Sequence, residues 1–136
     1  MFREYKIETL QLFLSALRGN NKDFDKLLKE FPTLAALSNA IKGDEGAIKW
    51  MELRAPVEAE DFFLAVDGSK DALKRLSKYP DLFLYHFALS SLGNLAGSNW
   101  LEMNNYGDFT GIASDIKSAM DYDKKKNSFW YSMFQG

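Results

Sequence analysis

The sequence contains no cysteine, which excludes disulfide bonds and metal sites built from thiolates. It has no run of about 18 apolar residues, so no segment is predicted to span a membrane. The 17 basic and 19 acidic residues give a net charge of −2, which leaves no basic field of the kind that holds nucleic acid. Charged residues occur among the first eight positions, where a secretory signal would be apolar, and we therefore expect a cytoplasmic protein.

The sequence also lacks the motifs that bind phosphate or metal ions. The glycines between positions 93 and 111 are followed neither by Lys-Ser/Thr nor by a Gly-x-Gly-x-x-Gly pattern, and they favour turns. Glu58, Glu60 and Asp61 form an acidic cluster without the spacing of an EF-hand loop. Acids at a helix start are favoured by the helix dipole. We therefore expect neither a cofactor nor a metal ion.

A short pattern recurs along the chain at nearly constant spacing. It consists of a small residue, two further residues and a glycine, and its glycines lie 24, 25 and 25 residues apart. A fixed period of roughly 20–50 residues is typical of stacked repeat proteins. The first three copies also end on a proline, at Pro32, Pro56 and Pro80. The four copies are Ala16-Leu17-Arg18-Gly19, Ala40-Ile41-Lys42-Gly43, Ala65-Val66-Asp67-Gly68 and Ser90-Ser91-Leu92-Gly93.

Each part of the pattern has a physical role in a pair of helices. The small residue lets two helices approach closely, and the glycine ends the first helix because it readily adopts φ > 0. Asn21, Asp44 and Ser69 are predicted to cap the second helix, since their side chains accept from free backbone N–H groups. Proline ends that helix, because the residue before proline is pushed out of the α region. One copy is therefore predicted to be a helix–turn–helix unit that needs neighbours to bury its apolar face.

Two copies resemble the helical part of an ankyrin repeat. They are Ala40 to Met51 and Ala65 to Leu76, and Ala16 to Leu28 is similar with one extra residue. The Thr-Pro-Leu-His start and the β-hairpin of that family are absent, so the resemblance implies helix pairs without hairpins. We predict an all-α protein: a right-handed stack of three to four helix pairs, ending in an irregular C-terminal cap.

The predicted organisation is a single domain over residues 1–136. Its repeat units are about 3–32, 33–56, 57–80 and 81–104, followed by a capping helix and aromatic tail over 108–136. Residues 93–111 are predicted to form a loop with a short, broken helix near Trp100, and a last helix is predicted over 112–123. The apolar periodicity predicts earlier helices over 3–18, 22–31, 33–42, 45–54, 58–67, 70–78 and 81–92.

Repeats of this type favour a non-catalytic function in protein–protein interaction. The ankyrin resemblance implies binding through the concave side formed by the first helices and the turns. The partner is expected to be a protein, with no nucleic acid and no membrane involved. The residues predicted to face the partner lie beside the repeat glycines: Arg18, Asn20, Lys42, Asp44, Asp67 and Ser69.

The aromatic segment from Phe129 to Phe134 has two possible roles. It can fold back and seal the open end of the stack, since so many rings are costly in water. It can also anchor a partner or a second copy, because tryptophan and tyrosine are favoured at interfaces. Trp130, Tyr131 and Phe134 are the candidate anchors.

Two other functions are compatible with the sequence. His86 is the only histidine, and a small all-α enzyme could use it with an acid such as Glu102 or Asp108 as a general acid–base pair. We interpret His86 instead as a packed residue, because no nucleophile motif or second histidine accompanies it. The other alternative is a self-associating structural or immunity-type protein that pairs through its aromatic tail.

Overall fold

The computed structural model describes the backbone of residues 1–135 and the side chains of residues 1–126. This part of the chain is all-α and contains no strand. Its helices are α1 (Ile7–Leu17), α2 (Asn21–Glu30), α3 (Pro32–Ile41), α4 (Glu45–Arg54), α5 (Val57–Val66), α6 (Lys70–Ser77), α7 (Phe83–Ser91), α8 (Leu95–Met103) and α9 (Asp108–Gln135). Helices α1 to α8 form four helix–turn–helix pairs that stack side by side. The pairs are α1 with α2, α3 with α4, α5 with α6, and α7 with α8.

The turns inside the four pairs are equivalent. Gly19, Gly43, Gly68 and Gly93 have φ values of 92°, 90°, 109° and 86°, a region that glycine enters without steric cost. Each glycine N–H donates to the carbonyl three residues earlier, and the next N–H donates to the carbonyl five residues before it. This is the Schellman arrangement, which satisfies the last carbonyls of the first helix. The repeat glycines therefore end α1, α3, α5 and α7 in the same way.

The second helix of each pair begins on a capping side chain. Asp44 accepts from the Ala47 N–H at 2.9 Å and Ser69 from the Ala72 N–H at 3.1 Å, which confirms both predicted caps. In the first pair the cap is Asn20, which accepts from Asp23 N–H; the prediction of Asn21 is wrong by one residue. Asn94 caps α8 in the same manner.

The prolines lie where one pair joins the next. Pro32 is the first residue of α3 and Pro56 is the N-cap of α5, positions where the missing N–H costs nothing. Helices α2 and α4 end before them, as predicted. The first helix begins at Ile7 rather than at residue 3.

The prediction of a loop over residues 93–111 with only a short, broken helix near Trp100 is wrong in extent, because α8 is a regular helix over Leu95–Met103 and α9 already begins at Asp108. Gly97 lies inside α8 and is buried against α7. The following helix, α9, runs from Asp108 to Gln135 and is longer than the predicted helix over 112–123. The C-terminal part is therefore a continuous helix.

The core repeats with the same period as the turns. The residue six positions before each repeat glycine is fully buried, and so is the residue eight positions after it. The first set faces the inside of the stack and the second holds each second helix against its partner. These residues are Phe13, Leu37, Phe62 and Phe87, and Leu27, Met51, Leu76 and Leu101.

Phe2 and α9 link helix pairs that are not neighbours in the stack. Phe2 is fully buried, with its ring centroid 6.0 Å from Phe13, 5.2 Å from Phe62 and 4.9 Å from Phe87. One residue thus contacts the first, third and fourth pairs. Helix α9 packs against α1, α3 and α7, burying a stripe formed by Ile112, Ala113, Ile116 and Met120. Phe2 and α9 therefore fill the inner side of the first helices, and the turns form one edge of the stack.

Candidate functional site

Helix α9 passes across the turns of the four pairs. Arg18, at the first turn, forms an ion pair of 2.9 Å with Asp115 of α9. A methyl group added to Gly93 would lie 2.8 Å from Cε of Lys117, and one added to Gly43 would overlap the carboxylate of Asp123. Lys124 Nζ lies 3.5 Å from the Asp67 carbonyl at the third turn. The C-terminal ends of α1, α3, α5 and α7 thus converge on one helix, and we call this surface the turn edge.

The cationic side chains at the turn edge are opposite in charge to the helix ends that they contact. The C-terminus of a helix carries a partial negative charge and unpaired carbonyl groups. Lys42 Nζ donates to the Ala16 carbonyl at 2.7 Å, and so links the ends of α1 and α3. Burial lowers the pKa of Lys42, and the nearby Asp44 carboxylate opposes this shift.

A cleft of about 660 Å³ opens between the turn edge and α9. Its volume lies within the roughly 300–1,000 Å³ of common ligand sites. The floor is apolar and the rim carries charges of both signs. The residues that line it are Leu17, Arg18, Gly19, Lys42, Asp115, Ser118, Ala119, Tyr122, Asp123 and Lys126.

The structure brings some of the predicted partner-facing residues together and gives others a local role. Arg18 and Lys42 both line the cleft. Asn20, Asp44 and Ser69 use their side chains as helix caps. The remaining candidates, Trp130, Tyr131 and Phe134, lie outside the residues whose side chains are described.

Asp67 is exposed beside the third turn, next to the last described turns of α9. Partial burial of the carboxyl group raises the pKa of Asp67; Lys124 opposes that shift and Asp123 adds to it. Its charge is therefore coupled to α9, although Asp67 does not line the cleft.

Sequence reasoning missed the half of the cleft that α9 contributes. Asp115, Tyr122 and Asp123 stand on the second side of the cleft. The sequence signal for these residues was the helical pattern over 112–123, with its apolar stripe and charged opposite side. That pattern predicts a helix but not which surface the helix covers.

His86 is stacked on an aromatic side chain. Its ring lies 4.3 Å from the Trp100 ring at an angle of 9°. Its Nδ1 atom is buried without a hydrogen-bond partner among the described residues, and burial lowers the pKa of the imidazole. Glu102 and Asp108 are exposed, and no hydrogen bond in the described part of the chain joins either of them to His86.

The acidic cluster at the start of α5 contains one buried member. Asp61 accepts from Arg75 Nε at 2.9 Å and from the Tyr79 hydroxyl at 2.8 Å. Burial, together with the hydrogen bond to Asp61, raises the pKa of Tyr79 to about 12. These bonds join α5 to α6 and to the segment that follows α6, and they account for the buried carboxylate.

Two further classes of site are absent from the described residues. They contain no group of three or more histidine, cysteine, aspartate or glutamate side chains placed to hold a metal ion. No helix among them has both the length and the apolar character needed to cross a bilayer. Comparison of the chain with known protein families, with curated proteins and with solved structures gave no significant match.

Proposed function

We propose that the protein is a non-catalytic interaction module that binds a protein partner through the turn edge. The observation that supports this function is the cleft, which opens at the turns of stacked helix pairs and is lined by Arg18 and Lys42. The resemblance of the pairs to ankyrin repeats supports the same surface.

The composition of the cleft suits a protein partner. Tyr122 is 71% exposed at its edge, and tyrosine and arginine contribute strongly to interfaces. The rim carries charges of both signs, which serve to orient a partner more than to increase affinity. Because the cleft is apolar below and polar at its rim, it has the layout of an interface core.

The test is a comparison of partner capture by two full-length variants. The first combines Arg18→Ala, Lys42→Ala and Asp67→Ala at the turn edge. The matched control combines Lys29→Ala, Lys49→Ala and Asp71→Ala, which changes the same charges at exposed sites on α2, α4 and α6. Circular dichroism melting verifies that both variants are folded.

We expect the control to capture the same amount of partner protein as wild type. The turn-edge variant should capture at least tenfold less. Loss of about 1.4 kcal/mol of binding energy produces a tenfold change. Equal capture by both variants would rule out the turn edge as the binding surface.

A further inference from the structure

A second apolar groove lies between the second and third helix pairs, away from the turn edge. Met51 and Phe63 form its buried floor, and Ile48 and Leu64 line its half-buried walls. Its volume is about 250 Å³. The groove exists because α4 packs only sparsely on α5. Two exposed apolar side chains, Leu53 and Val57, stand at the connection between these helices, each 69% exposed.

The charge at this groove has one sign. Glu52 and Glu60 are the charged residues that line it among the described residues, and both are acidic. We call this feature the acidic groove. An apolar floor between two carboxylates is complementary to an apolar side chain accompanied by lysine or arginine. A partner with acidic residues would be repelled.

The same chain presents a segment with that chemistry. Tyr122 lies on α9 at the edge of the turn-edge cleft, which Lys126 also lines, and is 71% exposed. Lys125 and Lys126 follow it at i+3 and i+4, both exposed, and these spacings place them on the same side of the helix as Tyr122. The face formed by Tyr122, Lys125 and Lys126 is therefore an aromatic side chain with two cations on the next turn of the helix.

We propose that the protein self-associates, with the Tyr122–Lys126 face of one copy docking in the acidic groove of a second copy. The tyrosine ring covers Met51 and Phe63, and the two ammonium groups face Glu52 and Glu60. The two surfaces differ, so the contact is heterologous and forms rings or chains unless two copies exchange it reciprocally.

The expected affinity is modest. Docking in a groove of this size buries only part of the roughly 1,000 Å² of surface area that a stable interface buries. Association should therefore be seen between about 1 µM and about 1 mM protein. It should weaken as salt is added, because three of the four pairing charges are exposed to solvent and are screened.

Light scattering coupled to size-exclusion chromatography and sedimentation equilibrium on the full chain test this pairing. The groove variant is Glu52→Lys with Glu60→Lys, and the helix variant is Lys125→Glu with Lys126→Glu. The matched controls reverse the same charges at exposed positions elsewhere. They are Glu30→Lys with Glu102→Lys, and Lys70→Glu with Lys74→Glu.

We expect the mass of wild type and both controls to rise with concentration, while each reversed variant stays monomeric. An equimolar mixture of the two reversed variants should associate again, because the unchanged lysine face of the groove variant meets the unchanged groove of the helix variant, and the two reversed surfaces are also complementary. Wild type that stays monomeric up to about 1 mM would overturn the proposal. So would association unaffected by the reversals, or failure of the mixture to associate while both variants remain folded.

Discussion

Gly97 shows how a single residue sets the distance between two helices. It lies in the middle of α8, where glycine lowers helix stability by about 0.5–1 kcal/mol relative to alanine. A Cβ atom there would lie 2.7 Å from the His86 carbonyl oxygen and 2.7 Å from the Ser90 nitrogen. Both are backbone atoms of α7 and cannot rotate away. Gly97 stands 25 residues, one repeat period, after Ala72. It therefore occupies in the fourth pair the packing position that Ala72 occupies in the third, and its missing side chain lets α7 and α8 lie closer together.

Replacing Gly97 with alanine should therefore destabilise the protein despite the better helix propensity of alanine. We expect a loss of about 1–3 kcal/mol, the usual cost of overpacking. Gly111→Ala is the matched control, because Gly111 is also helical and has nothing within 4 Å of its Cβ position. That control should gain up to about 1 kcal/mol. Urea unfolding measures both values, and a gain from Gly97→Ala would contradict the packing.

The His86 imidazole should make stability depend on pH. Burial lowers its pKa in the folded protein, so the unfolded chain takes up the proton at a higher pH than the folded protein does. The stability that the neutral imidazole contributes is fully present above the unfolded pKa of about 6.5. It is lost as pH falls from there through the pKa of the folded protein.

The measurement is the free energy of unfolding of wild type and His86→Gln across this pH range. Wild type should lose stability relative to the variant as pH falls below about 6.5, and the imidazole proton signals should titrate at lower pH than in a peptide. If the free energies of unfolding of the two proteins changed in parallel with pH, the neutral, stacked imidazole would not contribute to stability.

At the scale of the element, α9 matters because it touches turns that belong to different pairs. Gly19 and Gly43 have nearly the same φ, 92° and 90°, so alanine at either position carries the same backbone strain of about 1–2 kcal/mol. The surroundings differ. A Cβ at Gly19 meets nothing within 4 Å, whereas one at Gly43 overlaps the Asp123 carboxylate.

Gly43→Ala should consequently destabilise the protein more than Gly19→Ala. The difference should disappear in an Asp123→Ala background, since the overlapping group is then gone. Chemical unfolding of the two single and two double variants gives the comparison. A difference that persists without the Asp123 side chain would mean that α9 does not cover the third helix at this turn.

The helix pairs were predictable because their signals are local. A glycine with φ > 0, a capping side chain and a proline each act within a few residues. The bounds predicted from them for α2 to α6 are close to the observed ones. The pattern failed at α8, because Gly97 was interpreted as turn chemistry although it serves packing. Two residues of the cleft, Arg18 and Lys42, were among those predicted to face a partner. The cleft residues on α9 were not, since their position depends on where that helix docks.

For the molecule as a whole, Phe2 joins parts of the chain that lie far apart in sequence. Its ring contacts α1, α5 and α7, and its backbone is held at a φ of 72°, which sterics disfavour for a large side chain. Nothing in the local sequence reveals these contacts. Burial of the ring among three other rings offsets the backbone strain.

Phe2→Ala should cost about 3–5 kcal/mol, as expected for a buried phenylalanine. Ile7→Ala is the control, because Ile7 is 61% exposed and should change stability by no more than about 0.5 kcal/mol. Thermal and urea unfolding give both values. Similar stabilities for the two variants would exclude a structural role for the Phe2 ring.

Closure around Phe2 also limits how this architecture can evolve. An open array of repeats gains or loses a unit at its end, and each added unit simply extends the row. Here the first and fourth pairs share one aromatic side chain, so a duplicated pair would push them apart and empty the centre. A pair inserted between them would therefore break this contact, and divergence within this part of the chain should proceed through substitutions and loop changes instead of insertion of a unit.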